Sequence, residues 1–301
     1  MKEWPDFFII GAMKAGSTAL HHCLNKHPII FMSQPKEPGF FSRDNRFAKG
    51  PSWYRKHFSG ALAGQLWGDS STCYSRMPVY PNSAYRIHQI NPNAKFIYIV
   101  RDPVLRAFSH YRHQMDETVI SGGLPITYKE FLKVDKEVLE TGKYYYQIKP
   151  YYDLFGPENI HVCSFDELVN DTPKTIEEVC CFLNIDPSDL SKSSLPSKNK
   201  AGSALVYSYT NKYIERIRNT SLLKSFIDYM PQKAKTYGVL ALKSSLMKSD
   251  LMKTKATKGH EALSKPDLED IKFLAEYYKD DSIDFQELTG LDICHWKSFR
   301  S

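Results

Sequence analysis

The chain has 301 residues, of which 42% are hydrophobic and 25% charged, a composition typical of a globular protein with a sizeable core. No stretch approaches the roughly 18 to 20 apolar residues that cross a bilayer, and the first residues lack the pattern of a signal peptide. With a modest net charge of +6, the sequence predicts a cytoplasmic protein without a membrane span.

Strand-like and helix-like stretches alternate along the chain. The predicted strands cover residues 7–10, 29–32, 66–68, 95–100 and 159–164. The predicted helices cover residues 18–25, 104–115, 128–140, 144–155, 172–183, 205–219 and 266–278, the last capped by Ser264 or Lys265. Buried strands that alternate with helices at this spacing predict an α/β fold with a central, mainly parallel sheet flanked by helices.

One domain is predicted over residues 1–301, with a helical elaboration over residues 186–301. Within this elaboration, the segment from Lys224 to Lys258 holds eight lysines, two acids and no arginine, so its charge surplus equals that of the whole chain. A solvated surface is the ordinary interpretation of such a segment. The alternative is a mobile flap over residues 224–260 that covers an anionic ligand or partner. Because arginine is missing there, nucleic acid is not an expected partner.

The cysteines show no pairing that indicates a metal site. They are Cys23, Cys73, Cys163, Cys180, Cys181 and Cys294. Most lie in apolar runs, where a small buried thiol is the ordinary expectation. The sequence therefore predicts a reduced protein without a metal.

A phosphate-binding motif is suggested by the stretch FFIIGAMKAGSTALHHCL, which begins at Phe7. Gly11 and Gly16 have nearly the spacing of a P-loop, G-x-x-x-x-G-K-[ST], between a predicted strand and a predicted helix. Backbone amides at such a helix start point at one spot and attract an anion. However, Ser17 stands where a P-loop has its lysine, and the nearby lysine is Lys14, inside the loop.

The end of the strand over residues 95–100 argues against an enzyme that binds Mg-ATP. A nucleoside triphosphatase often places an acidic metal partner after such a strand, whereas this chain places Arg101 there. The expected ligand is therefore a phosphate neutralised by side-chain cations and without a metal. A small-molecule P-loop kinase remains the alternative enzyme, and a non-catalytic nucleotide-binding module is the alternative from another class.

Four stretches resemble the sulfotransferase family, whose donor is 3′-phosphoadenosine 5′-phosphosulfate (PAPS). GAMKAGSTAL resembles the family's 5′-phosphosulfate loop, and VRDPVLRAFSHY, from Val100 to Tyr111, is similar to its 3′-phosphate element. PKEPGFFS, from Pro35, resembles a stretch of the heparan-sulfate sulfotransferase branch, and CSFDEL, from Cys163, a segment of bacterial members. The resemblance is strongest to this branch and to bacterial enzymes, including sulfotransferase domains of polyketide synthases. It implies a P-loop-like three-layer fold.

The resemblance also implies roles for individual residues. The 5′-phosphosulfate is expected to bind the loop residues Lys14, Ala15, Gly16, Ser17 and Thr18. Lys14 is also the candidate for stabilising the charge that develops on the leaving group.

The remaining donor contacts lie elsewhere in the chain. Arg101 and Ser109 are expected to bind the ribose 3′-phosphate, because a strand end and the following helix can reach one pocket. Lys258 and Gly259 match a loop that closes over the donor in related enzymes.

Two residues compete for the role of the catalytic base that accepts the proton of the acceptor hydroxyl. Glu37 matches the glutamate base of the heparan-sulfate branch. His260 is the rival, since many cytosolic sulfotransferases use a histidine, although it stands where related enzymes have an arginine.

The acceptor is expected to carry a hydroxyl. One candidate is a β-hydroxyacyl chain on an acidic acyl carrier protein, as in the synthase domains that the chain resembles. The other is a hydroxyl of a glycan or a lipid.

Overall fold

The computed structural model describes residues 2–121, 123–189 and 266–299. The predicted helix over 205–219, the lysine-rich flap and the residues Lys258, Gly259 and His260 lie outside the described residues. Contacts divide the chain into two compact units. The larger comprises residues 1–110, 129–196 and 266–301, and the smaller comprises residues 111–128 and 197–265. The prediction of a single domain with a helical elaboration stays a prediction.

The larger unit is built on a parallel sheet of five strands in the order β2-β3-β1-β4-β5. The strands are β1 (Phe7–Gly11), β2 (Ile30–Met32), β3 (Leu66–Ser70), β4 (Lys95–Val100) and β5 (Ile160–Ser164). The neighbouring interior strands β1 and β4 are almost wholly buried, as expected for a parallel sheet covered on both faces. The α/β fold class predicted from the sequence is therefore confirmed.

Eleven helices are described. They are α1 (Ser17–Leu24), α2 (Asp44–Phe47), α3 (Gly50–Arg55), α4 (Ser83–Ile90), α5 (Pro103–Ile120), α6 (Tyr128–Val134), α7 (Lys136–Glu140), α8 (Tyr144–Phe155), α9 (Phe165–Asn170), α10 (Thr172–Leu183) and α11 (Leu268–Thr289). Short 3-10 turns over Lys56–Phe58, Thr72–Ser75, Pro157–Asn159, Pro187–Asp189 and Lys297–Phe299 connect or end these elements.

The strands separate two hydrophobic cores because successive residues point to opposite faces. Phe8 and Ile10 of β1 pack in one core with side chains of α4, α8 and α11. Phe7 and Ile9 pack in the other core with side chains of α1 and α10. This arrangement gives the three layers expected of the fold.

Several predicted boundaries differ from the observed ones. The helix predicted over 128–140 is two helices, because Asp135 accepts a hydrogen bond from Val138 N and starts α7. The cap predicted at Ser264 or Lys265 is wrong, since Asp267 Oδ1 accepts from Asp270 N at 2.8 Å and caps α11. Both α5 and α11 are also longer than predicted.

Four of the six cysteines are buried, as the apolar runs indicated, whereas Cys181 and Cys294 are exposed. In the parts of the chain that the structure describes, no helix is both long and apolar enough to cross a bilayer. Within the same residues, no group of three or more His, Cys, Asp or Glu side chains is arranged to hold a metal ion.

The start of α8 is capped from a distant helix. Asp281 of α11 accepts hydrogen bonds from Tyr145 N at 3.1 Å and Tyr146 N at 3.0 Å, and the N-cap residue Lys143 provides no side-chain cap. Burial raises the pKa of Asp281 to about 6, and the two amide donors only partly oppose this shift. A partly buried carboxylate therefore joins α8 to α11.

We expect Asp281→Asn to remove a contribution to stability that falls as pH rises. A raised carboxyl pKa means that the folded protein binds more protons than the unfolded chain between pH 3.8 and about 6. The contribution of Asp281 to the free energy of unfolding therefore falls as pH rises through that interval. Urea denaturation between pH 4 and 7 should show that the free energy of unfolding of Asp281→Asn rises relative to the parent's as pH increases, whereas that of the exposed Asp280→Asn follows the parent's. Equal slopes for all three proteins would contradict this interpretation.

Candidate functional site

The loop between β1 and α1 has the backbone that an anion site needs. Lys14 and Gly16 have positive φ angles of 69° and 103°, and Gly16 is the residue that precedes α1. A Cβ atom on Gly16 would lie 2.6 Å from Phe165 Cδ2, so both the backbone and the neighbouring ring require glycine here. The loop is thereby held against α9.

The first amides of α1 are free to bind a ligand. Ala15 N donates to Ala12 O at 3.1 Å, but the amides of Gly16, Ser17 and Thr18 donate to no backbone carbonyl in the described part of the chain. Ser17 is buried, Thr18 is exposed and Lys14 is half-buried. Unused amides at a helix start, together with two hydroxyls and a lysine, form a suitable cradle for a phosphate group.

Arg101 follows β4 and is a partly buried cation without an ion-pair partner in the described part of the chain. Its guanidinium lies over the Phe165 ring, 4.7 Å from the ring centroid, and its Nε atom is buried without a hydrogen-bond partner. Among the described residues, no carboxylate forms an ion pair with it. Burial lowers the pKa of Arg101, with Tyr144 and Asp166 opposing the shift. A bound anion would supply the missing counter-charge.

Phe165 brings the loop and Arg101 together. The edge of the ring lies against Gly16, and the Arg101 guanidinium lies over the same ring. The sequence stretch CSFDEL contains Phe165, but the sequence alone did not identify this residue as part of the site. Ser109 lies half-buried on α5, and no contact among the described residues joins it to Arg101. Its role stays a prediction.

Two other residues of the stretch VRDPVLRAFSHY, Asp102 and Arg106, stabilise the position of α5. Asp102 is buried, accepts a hydrogen bond from Val104 N at 3.0 Å and so caps α5, and it also accepts one from Ser298 N at 3.1 Å. Arg106 is fully buried and donates to the carbonyl oxygen of Val138. These contacts fix the helix that follows Arg101.

Glu37 lies in the loop after β2 with its carboxylate held at one oxygen. Its Oε1 atom accepts hydrogen bonds from Lys36 Nζ at 2.7 Å and from Thr72 Oγ1 at 3.2 Å. Its backbone N donates to Ser70 O at 3.1 Å, although the residue has a positive φ of 61°. The side chain is 44% exposed. An oriented and accessible carboxylate of this kind can accept a proton from a bound hydroxyl.

His21 of α1 is a buried histidine whose pKa depends on the charges of the Glu37 loop. The imidazole is buried, and burial lowers its pKa to about 4, with smaller effects in the same direction from Lys36 and His22. Glu37 opposes the shift, so both charged residues of the loop act on this ring. His21 is therefore neutral at pH 7. The sequence analysis did not single out His21, Lys36 or Thr72.

Comparisons with known proteins identify the family of the chain. The family described as "Sulfotransferase domain" matches residues 4–232. Heparan sulfate glucosamine 3-O-sulfotransferase 5 of Mus musculus is 29% identical over 198 residues, which cover 62% of this chain and 55% of that protein. Bifunctional heparan sulfate N-deacetylase/N-sulfotransferase 3 of Homo sapiens is 31% identical over 202 residues, covering 61% of this chain and 22% of that protein. The chain therefore spans about half the length of the first relative and less than a quarter of the second.

A solved structure is also similar. The crystal structure of a sulfotransferase from Alicyclobacillus acidocaldarius has 26% sequence identity and a TM-score of 0.55. The similarity covers 73% of this chain and 96% of that one.

Proposed function

Because the chain belongs to the sulfotransferase family, we propose that it transfers the sulfuryl group of PAPS to a hydroxyl acceptor without the help of a metal. The observation that carries the proposal is the half-buried Arg101, held on Phe165 beside the phosphate loop without a carboxylate partner in the described chain. One free helix start and one separate cation suit a nucleotide with phosphates at two positions. A triphosphate chain on a P-loop does not need the second of these sites.

The chain's own residues account for each part of an in-line transfer. The acceptor oxygen attacks sulfur, the new O–S bond forms as the bond from sulfur to the 5′-phosphate oxygen breaks, and the electron pair goes to that phosphate. Lys14 stabilises the negative charge that develops on the leaving oxygen. The amides and hydroxyls of Ser17 and Thr18 hold the phosphate, with Ala15 and Gly16 shaping the loop.

Glu37 is the proposed base. It accepts the proton of the acceptor hydroxyl, and its contacts with Lys36 and Thr72 hold it in place. His260 remains the rival base, and Lys258 and Gly259 remain proposed donor contacts from outside the described residues. Arg101 and Ser109 are proposed to bind the 3′-phosphate.

Three acceptor classes remain in the proposal. A glycan hydroxyl has the support of the relative whose name states 3-O-sulfation of heparan sulfate glucosamine, whereas the N-sulfotransferase relative supports a glycan acceptor but not a hydroxyl. A β-hydroxyacyl chain on an acidic acyl carrier protein has the support of the lysine-rich segment, and a lipid hydroxyl is the third candidate. A cytoplasmic location belongs to the same proposal.

Thermal denaturation with nucleotides tests the donor assignment. We expect adenosine 3′,5′-bisphosphate to stabilise the protein more than adenosine 5′-monophosphate does, and more than ATP with Mg²⁺. Arg101→Ala should weaken bisphosphate binding by about 10- to 100-fold, because a charge-assisted contact to phosphate is lost. Arg55→Ala, at a surface arginine paired with Glu3, should bind as the parent does. Stronger stabilisation by ATP with Mg²⁺ would instead favour the kinase alternative.

A further inference from the structure

A fully buried carboxylate stands at the end of β3. Asp69 accepts three hydrogen bonds from hydroxyls, from Tyr54 at 2.6 Å, Tyr74 at 2.7 Å and Ser71 at 2.7 Å. Burial raises the pKa of Asp69, and the three donors oppose that shift. Burying a carboxyl group costs free energy unless it is hydrogen-bonded. The three hydroxyl donors supply these hydrogen bonds.

Two of these hydroxyls also accept hydrogen bonds from backbone amides of the loop that carries Glu37. Ser71 Oγ accepts a hydrogen bond from Gly39 N at 3.0 Å, and Tyr74 Oη accepts one from Phe40 N at 3.1 Å. Because each hydroxyl gives its proton to Asp69, its lone pairs are directed to the loop amides. Asp69 therefore fixes the backbone two and three residues after Glu37 through two short chains of hydrogen bonds.

The same segment of the chain also contacts the strand that ends in the phosphate loop. Ser71 N donates to Ile9 O at 3.1 Å, and Ser75 Oγ donates to Ile10 O at 2.7 Å. Thr72, between them, donates to Glu37 Oε1. Residues 69–75 thus hold the end of β1 on one side and the Glu37 loop on the other.

We propose that Asp69 is a positioning residue, which acts with Ser71, Thr72 and Tyr74 to set the place of the Glu37 carboxylate relative to the phosphate loop. This inference rests on the proposed function, in which Glu37 is the base. Ser71 and Tyr74 place the loop backbone, and Thr72 orients the carboxylate itself. Small displacements of a reacting group cost large factors in rate, so the network belongs to the chemistry as well as to the fold.

Two tyrosines provide a matched test of the loop backbone. Tyr54 and Tyr74 are both buried and both donate to Asp69 Oδ2, but in the described structure only the Tyr74 hydroxyl accepts from a loop amide. We expect Tyr74→Phe to speed hydrogen exchange at the Phe40 amide by about tenfold, and Tyr54→Phe to leave it unchanged. The Ser33 amide, which donates to Gly68 O, is the internal control. Equal exchange at Phe40 in both variants overturns the proposal, and this readout requires no sulfotransferase activity.

Thr72 provides the kinetic test. Thr72→Val replaces the hydroxyl with a methyl group of similar size, so kcat should fall by about tenfold while the Kd for adenosine 3′,5′-bisphosphate and the Tm stay close to the parent's. Thr72→Ser restores a hydroxyl and should recover kcat to within about threefold of the parent. A Thr72→Val enzyme with the parent's kcat, or a Thr72→Ser enzyme as slow as Thr72→Val, overturns the proposal.

Different results would contradict the proposed function and the positioning network. If Glu37→Gln is as active as the parent, the base assignment fails, and with it the role of Thr72 in catalysis. If Glu37→Gln is slow but Thr72→Val has the parent's kcat and Tyr74→Phe leaves exchange at the Phe40 amide unchanged, the proposed function stands and the positioning network is wrong. A protein that does not bind the bisphosphate contradicts the proposed function, whatever the exchange rates show.

Discussion

Replacing Glu37 with glutamine is expected to lower kcat by about 10²- to 10⁴-fold, with the affinity for adenosine 3′,5′-bisphosphate nearly unchanged. Glutamine keeps the size of the side chain and an oxygen that can accept the hydrogen bond from Thr72. It cannot accept the proton of the acceptor hydroxyl. Single-turnover kinetics with saturating donor, together with calorimetric titration of the bisphosphate, separates the two effects.

The control for this variant is Glu3→Gln, which removes another exposed glutamate from an ion pair with Arg55. It should turn over like the parent. If Glu37→Gln keeps the parent's kcat while His260→Ala loses it, the base is His260. That outcome would also remove Glu37 from the transfer mechanism proposed above.

Replacing Lys14 with alanine is expected to lower kcat by about 10²- to 10³-fold, since removing one donor to a developing negative charge typically has this effect. The lysine lies in the loop with a positive φ of 69°, half-buried and next to the free amides at the start of α1. Its charge matters most when the bond to the leaving phosphate oxygen is breaking. The loss should therefore be larger in kcat than in the Kd of the bisphosphate.

Lys149→Ala is the control for Lys14→Ala, because that surface lysine pairs with Asp153 on α8. A Lys14→Ala protein that binds the bisphosphate poorly but turns over normally at saturation would assign Lys14 to binding alone. The assignment to the leaving group would then be wrong.

The sequence predicted the centre of the sheet well because β1 and β4 are short and almost uniformly apolar. Residues 95–100 form β4 as predicted, and the apolar run at Phe7 forms β1. Helix ends were less predictable. The acidic residues after Tyr278 concealed the continuation of α11, in which Ser282 and Phe285 keep the buried spacing of Leu274 and Tyr278.

The candidate site was predictable where its chemistry lies in one stretch of sequence. The phosphate loop and Arg101 could be read from spacing and from the resemblance. Their connection through Phe165 could not, because that residue lies more than 60 positions after Arg101 and meets it only in the folded chain.

The network around Asp69 shows the same limit more clearly. The letters DSSTCY, from Asp69 to Tyr74, contain no motif and look like an ordinary strand end. Their meaning comes from contacts with Gly39 and Phe40, which are about 30 residues away in the sequence. Hydrogen bonds between separate loops leave no periodic pattern, so sequence reasoning had no signal from which to find them.

The most direct test of the central claim is transfer of sulfur label from PAPS to a hydroxyl acceptor in the presence of EDTA. A panel of oligosaccharides, acyl-carrier substrates, lipids and phenols covers the proposed acceptors. We expect a labelled product with at least one acceptor, formed without added metal and reduced by about 10²-fold or more in Glu37→Gln. Bisphosphate binding without label transfer to any acceptor, or transfer of phosphate from ATP with Mg²⁺, would contradict this expectation.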